Sequence, residues 1–347
     1  MPNVSSVAPL GKSPELQGLG DGLNFATPLD RLAGTVVAAS LFFVRSNYAP
    51  PDLAPGDWSM RIDGLVERPL SVGLADIQKL PHTTQEMWLE CAGNSRARFD
   101  PPAEGNQWSD GAVSNAVFTG TPLRHLLELA GVRPEAVEVV TTGADSPEFQ
   151  RGLPLEVALE PAVLLAWEMN GAPIPGVNGG PVRLLVPGWG GIASVKWPIH
   201  MQLVDTPFEG YYNRERYVYV DADGARHGPV REMPVKSVVA WPTESEILSP
   251  GTHRVCGYAW SGYAPIVAVE VRIDPQASWR PAQLTPGSGP LAWTRWEFDW
   301  TVEHPGTATL VARATDAAGN VQPPEAAWNR FGYAQNAQVR RTVQIRA

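Results

Sequence analysis

The 347-residue chain holds only two cysteines, Cys91 and Cys256, and six histidines. Two cysteines allow one disulfide and no framework of bridges, a usage that also suits a reducing compartment. No Cys-x-x-Cys pair and no histidine cluster occurs, which argues against a structural zinc site. No histidine falls in a recognisable nucleophile motif, so serine or cysteine hydrolysis lacks support. The glycine-rich stretches fail the G-x-x-x-x-G-K-[ST] pattern, leaving nucleotide triphosphate binding without its phosphate loop. No apolar run reaches about eighteen residues, and residues 1–22 lack a basic start followed by an apolar core, so neither a membrane span nor a signal peptide is expected. The chain as it stands reads as cytoplasmic; an export signal removed ahead of residue 1 would make it periplasmic. Basic residues are outnumbered, 27 against 36 acidic, and the net charge of −9 argues against general nucleic-acid binding while leaving room for a local basic pocket.

What is present is the composition of a folded soluble protein: 44% hydrophobic, 18% charged, with 13 tryptophans. The 34 prolines and 33 glycines imply many turns and short strands. At about 150 residues per domain the length suggests two domains. The divisions expected are an arm over residues 1–34 lying across the surface, a mixed unit over 35–232, and an all-β unit over 233–347.

Apolar periodicity predicts strands over 35–44, 57–66 and 84–89 and a short helix over 71–80. A helix over 123–130 is predicted with Thr121 as N-cap and Pro122 at its first position. Leu123, Leu126, Leu127 and Ala130 share its apolar face, and Gly131 stops it. Strands over 137–142, 163–167 and 182–186 and a short helix over 154–158 follow. From residue 237 onward only strands are predicted, over 237–241, 253–260, 266–273, 293–302 and 306–315; their spacing suggests an immunoglobulin-like sandwich. The fold class is α+β.

The chain is organised around Trp88-Leu89-Glu90-Cys91-Ala92-Gly93-Asn94-Ser95-Arg96-Ala97-Arg98. A short apolar run delivers a thiol into a polar turn, where Gly93 and Asn94 let the backbone bend and two arginines favour the thiolate. From these residues alone two readings stand, a soft ligand or nucleophile and an unreactive cysteine at a strand end. Cys256, within a strand-like segment, reads as a core residue. Gly176-Val177-Asn178-Gly179-Gly180-Pro181 is a glycine-rich loop whose backbone N–H groups can approach an anion, and Gly188 to Ser194 forms another. Residues 210–217 gather three tyrosines and two arginines, a cluster that usually means packing.

The Cys-Ala-Gly-Asn run resembles the molybdenum-ligating segment of the sulfite oxidase family, which carries the protein ligand to a molybdopterin-bound metal. Further segments similar to that family occur in order: Phe42-Phe43-Val44-Arg45, Trp167-Glu168-Met169-Asn170-Gly171, Pro181-Val182-Arg183-Leu184-Leu185-Val186-Pro187-Gly188, Val195-Lys196-Trp197 and Gly257-Tyr258-Ala259-Trp260-Ser261-Gly262. The resemblance implies a mixed α/β molybdopterin domain followed by an immunoglobulin-like dimerisation domain, hence a homodimer. It implies a molybdenum held by the soft donors of the pterin dithiolene and Cys91. It places Arg45, Cys91 and Tyr217 in catalysis. Asn47, Arg96, Asp145, Asn178, Arg183, Ser194 and Lys196 are placed at the cofactor, with Arg183 and Lys196 on the pterin phosphate. Without the resemblance, Arg45 reads as a surface arginine after a strand and Asp145 as a turn aspartate.

The chain also departs from the family pattern. Ser46-Asn47 stands where Asn-His is usual and Asn178 where a histidine is common, and neither asparagine can carry charge. Ala264 and Phe331 occupy positions where arginines of animal members help form the sulfite pocket, with Arg330 adjacent. The reaction implied is oxidation of sulfite to sulfate by oxo transfer, with electrons passed to an external acceptor, a cytochrome or a small molecule. His304-Pro305-Gly306 is too little for a haem site, so no haem is expected in this chain. The missing arginines keep open a related oxo transfer on another sulfur compound or an S-oxide. A tryptophan-rich binding module without catalysis is the non-enzymatic alternative.

Overall fold

The computed structural model describes residues 11–274 and 276–347. The first ten residues of the 1–34 arm and Pro275 lie outside the described residues. Among the described residues helices occur only in the first part of the chain, and every regular element from Lys236–Trp241 onward is a strand, which agrees with an α+β protein ending in a β sandwich.

Two five-stranded sheets form the body of the first part, beside a three-stranded and a two-stranded one. In one, Thr83–Glu90 pairs antiparallel with Val113–Pro122, which pairs with Leu164–Met169, itself flanked by Ala172–Pro173 and Arg183–Leu185. Successive side chains of a strand point to opposite faces. Met87, Leu89 and Cys91 therefore enter one apolar cluster with Phe42, Phe43 and Phe118, while Trp88 and Ala92 enter another on the reverse face. The other sheet runs Leu70–Gly73, Ser59–Gly64, Pro198–Val204, Glu138–Gly143, Gln150–Pro154, with one parallel pairing, between Ser59–Gly64 and Pro198–Val204. The helix Leu123–Ala130 forms where its apolar spacing predicts, buries Leu123, Leu126, Leu127 and Ala130, and ends on Gly131 at φ 68°, a left-handed conformation that glycine adopts without strain.

The second part is a sandwich of a four-stranded and a five-stranded sheet. Trp296, Phe298, Trp300 and Val302 alternate inward along Thr294–Val302 to meet Val269, Val271 and Leu310 of the facing sheet. Both cysteines are free thiols. Six tryptophans, Trp58, Trp108, Trp197, Trp260, Trp293 and Trp296, rank among the largest fully buried side chains, so these rings serve as core and not as an exposed binding surface.

Several expected elements differ. Residues 35–44 do not form one strand: only Val44–Arg45 pairs, with Asn24–Ala26. Val37 N–H bonds the Asn115 carbonyl, and the N–H groups of Leu41 and Phe42 both return to the Ala38 carbonyl as a turn, so Val37, Phe42 and Phe43 are buried without a partner strand alongside, while Val36 is exposed. The described part of the arm is likewise built in. Gln17–Gly18 and Asn24–Ala26 complete a three-stranded sheet, Phe25 is buried, and the Thr27 hydroxyl reaches that of Ser114. Residues 71–80 begin as an extension of the sheet, Leu70–Gly73, before the one-turn helix Leu74–Ile77, because Ser59–Gly64 offers them backbone partners. Thr121 stays in its strand and donates to the Pro81 carbonyl at 2.8 Å instead of capping the helix.

The two parts are joined through Glu90, the residue before Cys91. Its Oε1 accepts from Asn94 Nδ2 at 2.8 Å and from Lys236 Nζ at 3.2 Å, and its Oε2 accepts from Trp260 Nε1 at 2.8 Å. Glu90 and Lys236 are each about 1% exposed, so each charge depends on the other. Lys236→Met should strand the carboxylate and lower unfolding free energy by roughly 3–5 kcal/mol, and Glu90→Gln added to it should recover much of that loss. Denaturant unfolding of both proteins checks this; a Lys236→Met protein within about 0.5 kcal/mol of the parent would show that the pair is not a clamp.

Candidate active site around Cys91

The Cys91 turn is held from within and from the side. Cys91 N–H donates to the Ala112 carbonyl at 2.9 Å, Asn94 N–H closes back on the Cys91 carbonyl at 2.8 Å, and Asn94 Oδ1 accepts from Ala112 N–H at 3.0 Å. A Cβ on Gly93 would lie 2.2 Å from the Arg96 guanidinium, so a larger residue here would displace Arg96 from its place against the turn. Gly191 N–H bonds the Glu90 carbonyl at 2.6 Å, which brings the 188–194 loop against the turn. Among the described residues no group of three or more His, Cys, Asp or Glu gathers to hold a metal, so this turn offers one soft donor. Cys91 lines two adjoining cavities and shares both with Arg45, Asn47 and Tyr217.

The inner cavity collects all the sequence-derived candidates except Arg96: Arg45, Asn47, Asp145, Asn178, Arg183, Ser194, Lys196 and Tyr217 join Cys91 on its wall. Arg183 donates to the carbonyls of Asn178 at 2.9 Å and Ser194 at 3.3 Å, and the Ser194 hydroxyl accepts from Val186 N–H at 3.0 Å. Lys196 Nζ donates to Ser46 Oγ and to the Val177 carbonyl, both at 2.8 Å. Burial pushes the Arg183 pKa down to about 10. Burial and the Arg183 charge hold Lys196 well below its ordinary range. Asp145, the acid on this wall, has its own pKa raised by burial, and its Oδ1 and the Asn178 Oδ1 are buried with no partner. The cavity therefore holds crowded cations, with spare acceptors close by. A phosphate would supply the missing negative charge, and a hydrogen-bonding heterocycle would satisfy the acceptors. The residues fit a pterin phosphate.

Composition of the arm hid one further cation. Lys12 Nζ donates to the Ala39 and Phe42 carbonyls at 2.5 and 2.9 Å, and burial together with Arg183 lowers its pKa to about 7. A lone lysine in a Gly-, Ser- and Pro-rich segment carries no local signal of this.

The outer cavity adds Arg96, Asn106, Trp108, Tyr211, Tyr212, Arg216 and Tyr333. Arg96 thus lies on this side, tied to the carbonyls of Phe331 at 2.6 Å and Asn106 at 2.7 Å, and not among the inner cations. Arg45 NH2 reaches Asn47 Oδ1 at 2.5 Å and the Tyr217 hydroxyl at 3.3 Å. Burial opposes its charge, but the Tyr217 phenol and the Cys91 sulfur outweigh that and raise its pKa. Tyr217 sits at φ 54°, unusual for a bulky residue, and stacks on Tyr333 at 5.2 Å. The buried Trp108 Nε1 has no partner. Trp108 and Tyr333 have no sequence signal beyond being aromatic, and the fold alone brings them here. Of the departures, Ala264 and Phe331 line neither cavity, and Arg330 turns to Glu104 at 2.7 Å. Arg98 pairs with Asp110 and serves neither cavity.

Comparison with known proteins matches residues 47–212 to an oxidoreductase molybdopterin binding domain and residues 228–346 to a Mo-co oxidoreductase dimerisation domain. The chain is 33% identical to a sulfite oxidase of Gallus gallus over 96% of its own length and 76% of the relative's. It is 32% identical to an NADH nitrate reductase of Ulva prolifera, covering 88% of this chain and 40% of that one, and 31% identical to the mitochondrial sulfite oxidase of Mus musculus, of which it spans 62%. Its structure is similar to that of the sulfane dehydrogenase SoxCD from Paracoccus pantotrophus, with a TM-score of 0.85 and 31% identity over 91% of this chain and 83% of that one.

Lys12, which does not line the inner cavity but feels the charge of Arg183, makes the crowding of these cations testable without a cofactor. Its pKa falls from 10.5 to about 7 on folding, so within that interval the unfolded chain binds a proton that the folded chain does not. Lys12 therefore adds a rise in stability with pH across this window, and below it the buried charge weakens the fold. Thermal unfolding of cofactor-free protein from about pH 6 to about pH 10 should show a shallower slope for Lys12→Met than for the parent; equal slopes would place the lysine in solvent.

Proposed function

Because the chain belongs to the sulfite oxidase family of molybdopterin-dependent oxidoreductases, we propose that this molybdenum oxidoreductase oxidises sulfite to sulfate and passes the electrons to an external acceptor, a cytochrome or a small molecule. The observation that carries the reading is the position of Cys91 between a cavity whose cations outnumber its single acid, Asp145, and one walled by arginine and tyrosine. When bound, the molybdenum cofactor supplies two-electron oxo-transfer chemistry. Cys91 would be its thiolate ligand. Arg183 and Lys196 would hold its phosphate, supported by Ser194, while the free acceptors of Asn178 and Asp145 would take N–H donors of the pterin.

The chain's own part in the reaction lies in the outer cavity. Arg45 and Arg96 are fixed by carbonyl and amide oxygens before any ligand arrives, so a small oxyanion meets cations that need no reordering. The Tyr217 hydroxyl, 3.3 Å from the Arg45 guanidinium, can donate to an oxyanion and hold or pass a proton there. The match to a dimerisation domain supports a homodimer formed through the sandwich.

A second reading, oxo transfer on a different sulfur compound, is favoured by the absence of a second-part arginine from either cavity wall. Turnover of sulfite against other reduced sulfur compounds and S-oxides, with the same electron mediators, separates the two.

Purified protein made where molybdenum and pterin synthesis are intact should contain near one molybdenum per chain and release a fluorescent pterin on denaturation. Cys91→Ser should keep its circular dichroism and unfolding transition but lose turnover; normal activity in that variant would sink the assignment. Tyr217→Phe should lower kcat by roughly 100-fold or more with a smaller change in KM, and an unchanged kcat would remove the tyrosine from the chemical step.

A further inference from the structure

Arg216 lines the outer cavity beside Cys91, Arg45 and Arg96, and no carboxylate is among the residues lining that space. Unlike its two companions, its guanidinium has no hydrogen-bond or ion-pair partner among the described residues. It rests instead on the face of Phe331, 4.7 Å from the ring centroid. Phe331 is buried and packs against Tyr333 at 5.8 Å, so the ring is a fixed seat. Arg330 approaches the same ring at 5.7 Å but is held by Glu104 and does not line the cavity. The cavity holds about 210 Å³, several times the ~30 Å³ share of one water, which leaves room for a polyatomic anion among the three guanidinium groups.

We propose that Arg216 is the third cation of an oxyanion site, held in place by Phe331, and that it sets which anions the pocket accepts. The proposal deepens the reading above and rests on it only in requiring an anionic substrate. In this chain Phe331, standing where an arginine was expected, contributes no charge of its own but seats one from the first part of the chain. Arg45 and Arg96 are tied to fixed oxygens and define the inner end of the site. Arg216, seated on the Phe331 ring, has its N–H donors uncommitted to other residues and open to the anion.

The test is calorimetric binding of inorganic sulfate to the molybdenum-loaded protein at constant ionic strength, which does not depend on what the enzyme turns over. Arg216→Ala should weaken sulfate binding by about tenfold or more, and Arg216→Lys, which keeps the charge and loses the planar stacking, by less. Phe331→Leu should weaken it several-fold with the net charge unchanged. Arg330→Gln should leave it as in the parent. Equal affinity in the parent and Arg216→Ala, or an equal loss in Arg330→Gln, overturns the proposal, as does a parent that binds no sulfate at millimolar concentration. If sulfite is not turned over yet Arg216→Ala still loses sulfate, the substrate reading fails and the anion site stands.

Discussion

The carboxylate of Glu90 is buried one residue before the thiol, and the arrangement of both parts of the chain depends on satisfying it. A lone charge there would be expensive, so Asn94 from the turn, Lys236 from the first sandwich strand and Trp260 from the strand paired with it, Gly251–Trp260, converge on its two oxygens. The Cys91 turn is thereby fixed to the sandwich as well as to its own sheet. Rigid placement of the sulfur, which a small polar turn could not guarantee alone, follows from this contact across the two parts.

Charge is distributed against the average of the molecule. The chain carries a net charge of −9, yet the outer cavity is lined by arginines without a carboxylate and the inner one crowds Arg183 and Lys196 against a single acid. Such a site is unfavourable when empty, as the lowered pKa values of Lys196, Arg183 and Lys12 register. An anion that binds the folded chain alone relieves that cost and stabilises the fold by mass action. Binding of an anion at these buried cations would therefore be coupled to folding.

Much of the candidate site was legible because it lies in short contiguous runs. Cys91 with its glycine-containing turn, Arg183 on a strand after a glycine-rich loop, and Lys196 two residues past Ser194 carry their setting with them, and the helix Leu123–Ala130 and the alternation in Thr294–Val302 follow from apolar spacing. The failures share a cause. Residues 35–43 have strand composition but no neighbouring strand to pair with, and Thr121 has the identity of a cap but spends its hydroxyl on Pro81. Whether backbone and hydroxyl groups find local or distant partners is not written in the residues that bear them.

The sequence by itself determined the soft donor, the turn that presents it, the two-part organisation and the class of chemistry, since each depends on residue type and short-range spacing. The tertiary structure alone decided which cations share a cavity. It separated Arg96 from Arg183 and Lys196, brought Lys12 from the arm to the inner cations, turned Arg330 to Glu104, and laid Arg216 on Phe331, 115 residues away in sequence by their numbers. Charges act through space at a few ångströms, and only the folded chain sets those distances.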